Sequence, residues 1–234
     1  MAKERGGVID QAAAEALLRR YLDERGWRYE WEQREFGGKR PDAVILSESG
    51  EPIAVIGAVA IDEGAELGHT VREALACGME QASPVAEAGL PYLLAAYIPG
   101  CPPLERAAHL ISESLRQFPA ISAFGILREL DVAVVKKYTE FAKQHPRNPP
   151  LPTPTLTVME ILLNPCTRVA WREGLWGATD EVWGWVENLQ EFQTVHDGRW
   201  WGLYRLFSLA GSVLAPFKED VKMSRSENFY EERE

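Results

Sequence analysis

The sequence predicts an α/β fold, a central mixed sheet flanked by helices, on three observations. Short apolar stretches such as Tyr92 to Ile98 alternate with longer segments of helical spacing. One of them, Pro52 to Ile61, is nearly all apolar, as suits a central strand buried on both faces. Apolar residues at 46% and charged residues at 26% of 234 give material for one good-sized core with a small appendage.

The elements follow in order. Asp10 is a helix N-cap, Ala13, Leu17 and Tyr21 recur at helical spacing, and Gly26 ends the helix. Trp27 to Glu32 alternates strictly and reads as a half-buried strand. Gly37-Gly38 makes a turn, Pro41 to Leu46 a second strand, Ser47 to Glu51 a polar turn, and Pro52 to Ile61 a third strand. A helix follows over 66–82, with Pro84 making Ser83 its end. Then come a strand over Tyr92 to Ile98, a helix over Leu104 to Gln117 and a strand over Ala120 to Leu127. His145 to Pro154 holds five prolines and reads as a stiff connector, and Leu156 to Leu163 returns to strand content. Six of the eight tryptophans lie after residue 170. There, Thr179 or Asp180 is read as capping a helix that carries Val182, Trp183, Val186 and Leu189. A last helix covers Trp200 to Ala215, before a charged tail from Lys218 to Glu234. The expected fold thus ends in a Trp-rich helical extension.

Composition narrows the function. Cys77, Cys101 and Cys166 are odd in number and far apart, which favours reduced thiols in a cytoplasm over a disulfide framework or a zinc ribbon. The four histidines are equally scattered, so no histidine metal cluster is read. The net charge of −10 weighs against nucleic-acid binding, although it leaves room for a local basic groove. The start, Met-Ala-Lys-Glu-Arg, lacks the apolar core of a signal peptide. The run from Trp200 to Phe217 carries Arg205 as its one charge and is short for a span of ~20 residues. It reads as a buried or partner-docking helix, with a membrane-surface role as the alternative. No Walker-type loop, G-x-G-x-x-G or Ser-His-Asp arrangement appears.

The segment that carries chemistry is Gly38-Lys39-Arg40-Pro41-Asp42, followed after a turn by Ile56-Gly57-Ala58-Val59-Ala60. Residues two apart on a strand share a face, so positions 58 and 60 are expected to project together toward Asp42 on the neighbouring strand. This order of elements resembles the PD-(D/E)xK, restriction-endonuclease-like nuclease superfamily. In that family an acidic residue on one strand precedes Glu-x-Lys on the next, and a helix with a glutamine follows. Pro41-Asp42 matches the first part, Gln81 supplies the helix residue and Glu15 on the first helix offers a further carboxylate. Ala58 and Ala60 stand at the glutamate and lysine positions. Pro119 to Ala123 and Asn164 to Val169 also resemble segments of bacterial proteins of this class, so the likeness spans about residues 10 to 187. It implies a nuclease-like domain over 1–188 and a C-terminal helix with its tail over 189–234.

The resemblance implies Mg²⁺-dependent cleavage of DNA phosphodiester bonds, in bacterial DNA metabolism or defence. Asp42, residue 58 and Glu15 would hold the metal, residue 60 would activate water, Gln81 would assist, and Lys39 and Arg40 would meet phosphates. With alanine at 58 and 60, Asp42 is a lone carboxylate, a poor magnesium site without nucleophile activation, so the chain is expected to be inactive. The alanine pair reads as natural degeneration or as deliberate replacement; finding two alanines beside an intact Pro41-Asp42 favours the latter.

Plainer readings stand beside these. Pro-Asp is a common turn-to-strand dipeptide, Gln81 and Glu15 suit solvated helix positions, and Lys39 and Arg40 suit a charged turn. Lys136, Lys137, Lys143 and Arg147 form a second basic run, which reads as a solvated face. Trp183, Trp185, Trp200 and Trp201 fit a core or interface better than a base-stacking platform. The competing function is that of a pseudonuclease, an interaction or DNA-binding subunit of a larger complex. A homodimer or partner contact through the Trp-rich C-terminal region and no membrane association are expected in either case.

Overall fold

The computed structural model describes residues 11–61, 67–99, 104–144, 156–177, 180–187 and 189–196. Helix α1 spans Gln11–Glu24 and buries Leu17, Leu18, Tyr21 and Leu22 on one side. Strands β1 (Tyr29–Trp31), β2 (Ala43–Leu46) and β3 (Pro52–Ala60) form an antiparallel meander. Helix α2 (Leu67–Glu87) crosses over to β4 (Tyr92–Tyr97), which lies parallel to β3. Helix α3 (Leu104–Leu115) leads to β5 (Ala123–Glu129), parallel to β4, and α4 (Val132–Gln144) precedes β6 (Thr157–Leu163), antiparallel to β5. Among the described residues, strands β7 (Glu181–Val186) and β8 (Glu191–His196) complete a mixed sheet of eight strands in the order β1 to β8.

Two apolar layers sandwich the sheet. Val55 and Leu94 face Val71 and Leu75 of α2 and Ile111 of α3. Ile56 and Leu93, one position along, face Leu17, Leu18 and Tyr21 of α1. Successive residues of one strand therefore serve opposite cores, which is why β3 and β4 are apolar at almost every position.

Four expectations change. Residues 182–187 form no helix: Val182 to Val186 pair with 191–196 as a hairpin, and the Trp185 and Phe192 rings meet edge to face at 5.3 Å. β-branched and aromatic residues close together suit a pleated ribbon, and that preference outweighs the 3,4 spacing on which a helix was read. The sheet thereby runs past residue 188, the expected boundary. Helix α2 continues through Pro84 to Glu87 because Ala82 and Val85 are both buried, and it ends at Gly89 with a φ of 76°. Helix α4 was not expected at all. Strand β5 begins at Ala123 and not at Ala120, which lies in a turn closed by the Ile121 amide on the Phe118 carbonyl at 3.0 Å. The proline-rich connector, the Trp200 to Ala215 helix and the charged tail lie outside the described residues. No described helix is long and apolar enough to cross a membrane.

Candidate functional site

The neck of the meander gathers the residues singled out in the sequence. Gly37 and Gly38, with φ of 54° and 81°, close a two-residue turn in which Phe36 and Lys39 exchange backbone hydrogen bonds of 2.8 and 2.9 Å. The turn packs against Pro84 of α2, since a Cβ on Gly37 would lie 2.8 Å from that ring. Pro41 is buried and Asp42 half-buried just before β2.

The Asp42 Oδ2 accepts a 2.6 Å hydrogen bond from the Ala58 amide. On the same stretch of β3, the Gln11 side chain donates to the Ala58 carbonyl and accepts from the Ala60 amide, each at 3.1 Å. Pairing of β2 with β3 ends at Ala43↔Ile56, so Asp42 and Gln11 satisfy backbone groups that β2 does not reach. Gln11 also donates to Glu15 at 3.3 Å, which brings the first turn of α1 over this corner.

Burial pushes the Asp42 carboxyl above its ordinary range; the Ala58 amide opposes this, and the nearby Glu15 and Glu32 carboxylates add to it. Positions 58 and 60 do share a face, that of α1, where Ala58 packs with the Leu17 and Ile56 layer. Gly57 and Val59 face α2. Gln81 lies on that second side, where its Oε1 accepts a 2.8 Å hydrogen bond from the fully buried Tyr92 hydroxyl. The five expected residues are therefore split by the sheet: Ala58, Ala60 and Glu15 on the α1 side, Gln81 on the other, with Asp42 bonded to the strand between them.

Magnesium does not fit these residues. Among the described residues no group of three or more His, Cys, Asp or Glu side chains is arranged to hold a metal. At the neck the Asp42 carboxylate is already engaged by the Ala58 amide, which leaves it fewer free lone pairs for a hard cation. The expected phosphate contacts are also neutralised locally: Lys39 pairs with Glu80 at 2.7 Å and Arg40 with Glu35 at 3.6 Å.

Two other buried carboxylates serve the fold. Asp180 accepts from Tyr21 at 2.6 Å, from the Met159 and Gly177 amides at 3.1 and 2.7 Å, and from Arg25. Glu160 takes the Leu104 amide at the start of α3 and pairs with Arg128 at 2.6 Å. A groove of about 740 Å³ opens at the carboxyl ends of β4 and β5, between Tyr97 to Pro99 and Leu127 to Val132, one strand over from Ala60. It contains none of the expected site residues.

Sequence reasoning missed Gln11, Gly57 and Tyr92. Gly57 carried a signal, because a glycine inside an apolar strand marks a close approach by another group. Nothing in the pattern distinguished Gln11 or Tyr92 from ordinary helix-end and strand residues. Compared with family models, curated proteins and solved structures, the chain matches none of them.

Proposed function

We propose that this chain is a catalytically silent nuclease of the PD-(D/E)xK type, built on a scaffold for Mg²⁺-dependent cleavage of DNA. The observation that carries the reading is the bond from Asp42 to the Ala58 amide, with the side chains of 58 and 60 on one strand face beside Gln11 and Glu15. A carboxylate on one strand, two positions on the next and a helix residue above them form the framework such chemistry needs. The order α1-β1-β2-β3-α2-β4, an antiparallel meander followed by a parallel crossover, supports the same reading. Alanine at both positions removes the metal partner and the water-activating ammonium, so the chain binds without turning over.

The test is the Ala58→Glu/Ala60→Lys double variant, assayed with Mg²⁺ and Mn²⁺ on duplex and single-stranded DNA. Metal-dependent cleavage by the variant and none by the parent is the expected result. Clustering a third acid near Asp42 and Glu15 should also lower the variant's Tm, and Mg²⁺ should restore it while leaving the parent's Tm unmoved. A well-folded variant that neither cleaves nor responds to metal would sink the proposal.

A second reading, a pseudonuclease that serves as a partner subunit, draws on the paired state of Lys39 and Arg40. It also draws on the exposed Leu189 and Val195 of the last hairpin. A complex whose affinity is insensitive to salt would favour it over DNA binding.

A further inference from the structure

Tyr92 opens β4 with none of its surface exposed, yet it carries a hydroxyl into an apolar layer. Gly57 makes the room for it. A Cβ at position 57 would lie 2.0 Å from the Tyr92 hydroxyl and 3.0 Å from Gln81 Oε1. The phenol thus reaches across β3 and meets a glutamine that projects from α2. A side-chain amide has one accepting oxygen and two N–H donors. With its oxygen held by Tyr92, Gln81 turns its nitrogen to the neck of the meander, 3.5 Å from the Arg40 carbonyl and two residues from Asp42. The flipped amide would set its oxygen against that carbonyl, so the two neighbours together fix the orientation. The contact with Arg40 is at the outer limit of a hydrogen bond and uses one donor at most. Gln81 is half-buried, so its nitrogen is within reach of a ligand at the neck.

We propose that Tyr92 is a positioning residue that acts through Gln81, presenting a fixed N–H donor beside Asp42 to an acceptor oxygen of a nucleic-acid strand. The proposal rests on the nuclease reading and extends it: Gln81 touches the ligand, Tyr92 sets Gln81, and Gly57 admits Tyr92. A side chain that merely braced α2 against β4 would need no particular amide orientation.

Two measurements decide it. In the full ¹⁵N-labelled chain, the Gln81 side-chain amide pair is identified by its loss in Gln81→Glu. Its proton exchange is then followed in Tyr92→Phe, which keeps the ring and drops the hydroxyl. Exchange of the proton that faces the Arg40 carbonyl should quicken until the two N–H signals exchange alike, because an amide freed of the hydroxyl no longer holds that contact. Unchanged exchange in a folded Tyr92→Phe would overturn the positioning role. In the Ala58→Glu/Ala60→Lys background with a duplex oligonucleotide, Tyr92→Phe and Gln81→Ala should each lower kcat/KM about tenfold, and together no further. Quickened exchange with unaltered cleavage would reduce the pair to a brace and overturn the ligand contact. No cleavage at all would remove the nuclease reading and with it the nucleic-acid acceptor, while the exchange result still decides whether Tyr92 orients Gln81.

Discussion

Asp42 shows how a carboxylate is held at the end of a buried strand. Its carboxylate accepts the Ala58 amide in a half-buried corner, with Glu15 and Glu32 near enough to disfavour its charge. A carboxyl whose pKa is raised on folding binds its proton more tightly in the folded state. The stability it contributes is present below the unfolded value and is lost as pH rises through the folded one. Asp42→Asn keeps an oxygen for the Ala58 amide and removes the charge. The variant should therefore melt higher than the parent at pH 7, with the gap closing toward pH 4, as thermal unfolding across that range would show. An equal gap at every pH would mean that charge is not what burial penalises here. The sequence indicated Asp42 and positions 58 and 60 because dipeptide and strand spacing are local signals. It could not indicate Gln11, whose bonds to Ala58 and Ala60 join residues 47 and 49 positions apart.

At the scale of elements, the strands of the parallel core were legible because both faces of β3 and β4 are covered, leaving apolar runs bounded by turn residues. The last hairpin was not. Val182, Trp183, Val186 and Leu189 suit a helix by spacing alone, and the pairing that makes them a ribbon lies across a turn with 191–196. Pro84 misled in the other direction, since packing of Ala82 and Val85 outweighs the hydrogen bond that a proline removes. The end of α1 is tied to a distant part of the chain by one buried ion pair. Arg25 lies over the Tyr21 ring at 3.5 Å and pairs with the fully buried Asp180, which also takes two backbone amides. Arg25→Met would strand that carboxylate in the interior, and should lower stability by about 3–5 kcal/mol in denaturant unfolding. A loss below about 1 kcal/mol would show that water reaches Asp180.

At the scale of the molecule, α/β architecture and a mixed sheet followed from alternation of apolar runs with helical spacing. The order of the described strands is not legible in this way, because no residue type records which neighbour a buried strand takes. That order is also the order of the chain: every strand lies beside its predecessor. Such a sheet can grow by zippering as the polypeptide leaves the ribosome, each new strand finding its docking edge already formed, with modest loop-closure cost at each step. The end of helix α1 is the exception, because Arg25, the residue that follows it, must wait for Asp180, 155 positions downstream. A contact of such sequence separation is expected to close late, after the meander and the parallel strands have assembled. Arg25→Met should therefore speed unfolding far more than it slows folding when the two arms of a chevron are compared. Synthesis would leave the first helix resting on a half-built sheet, and its last polar attachment would form only when the final third of the chain arrives.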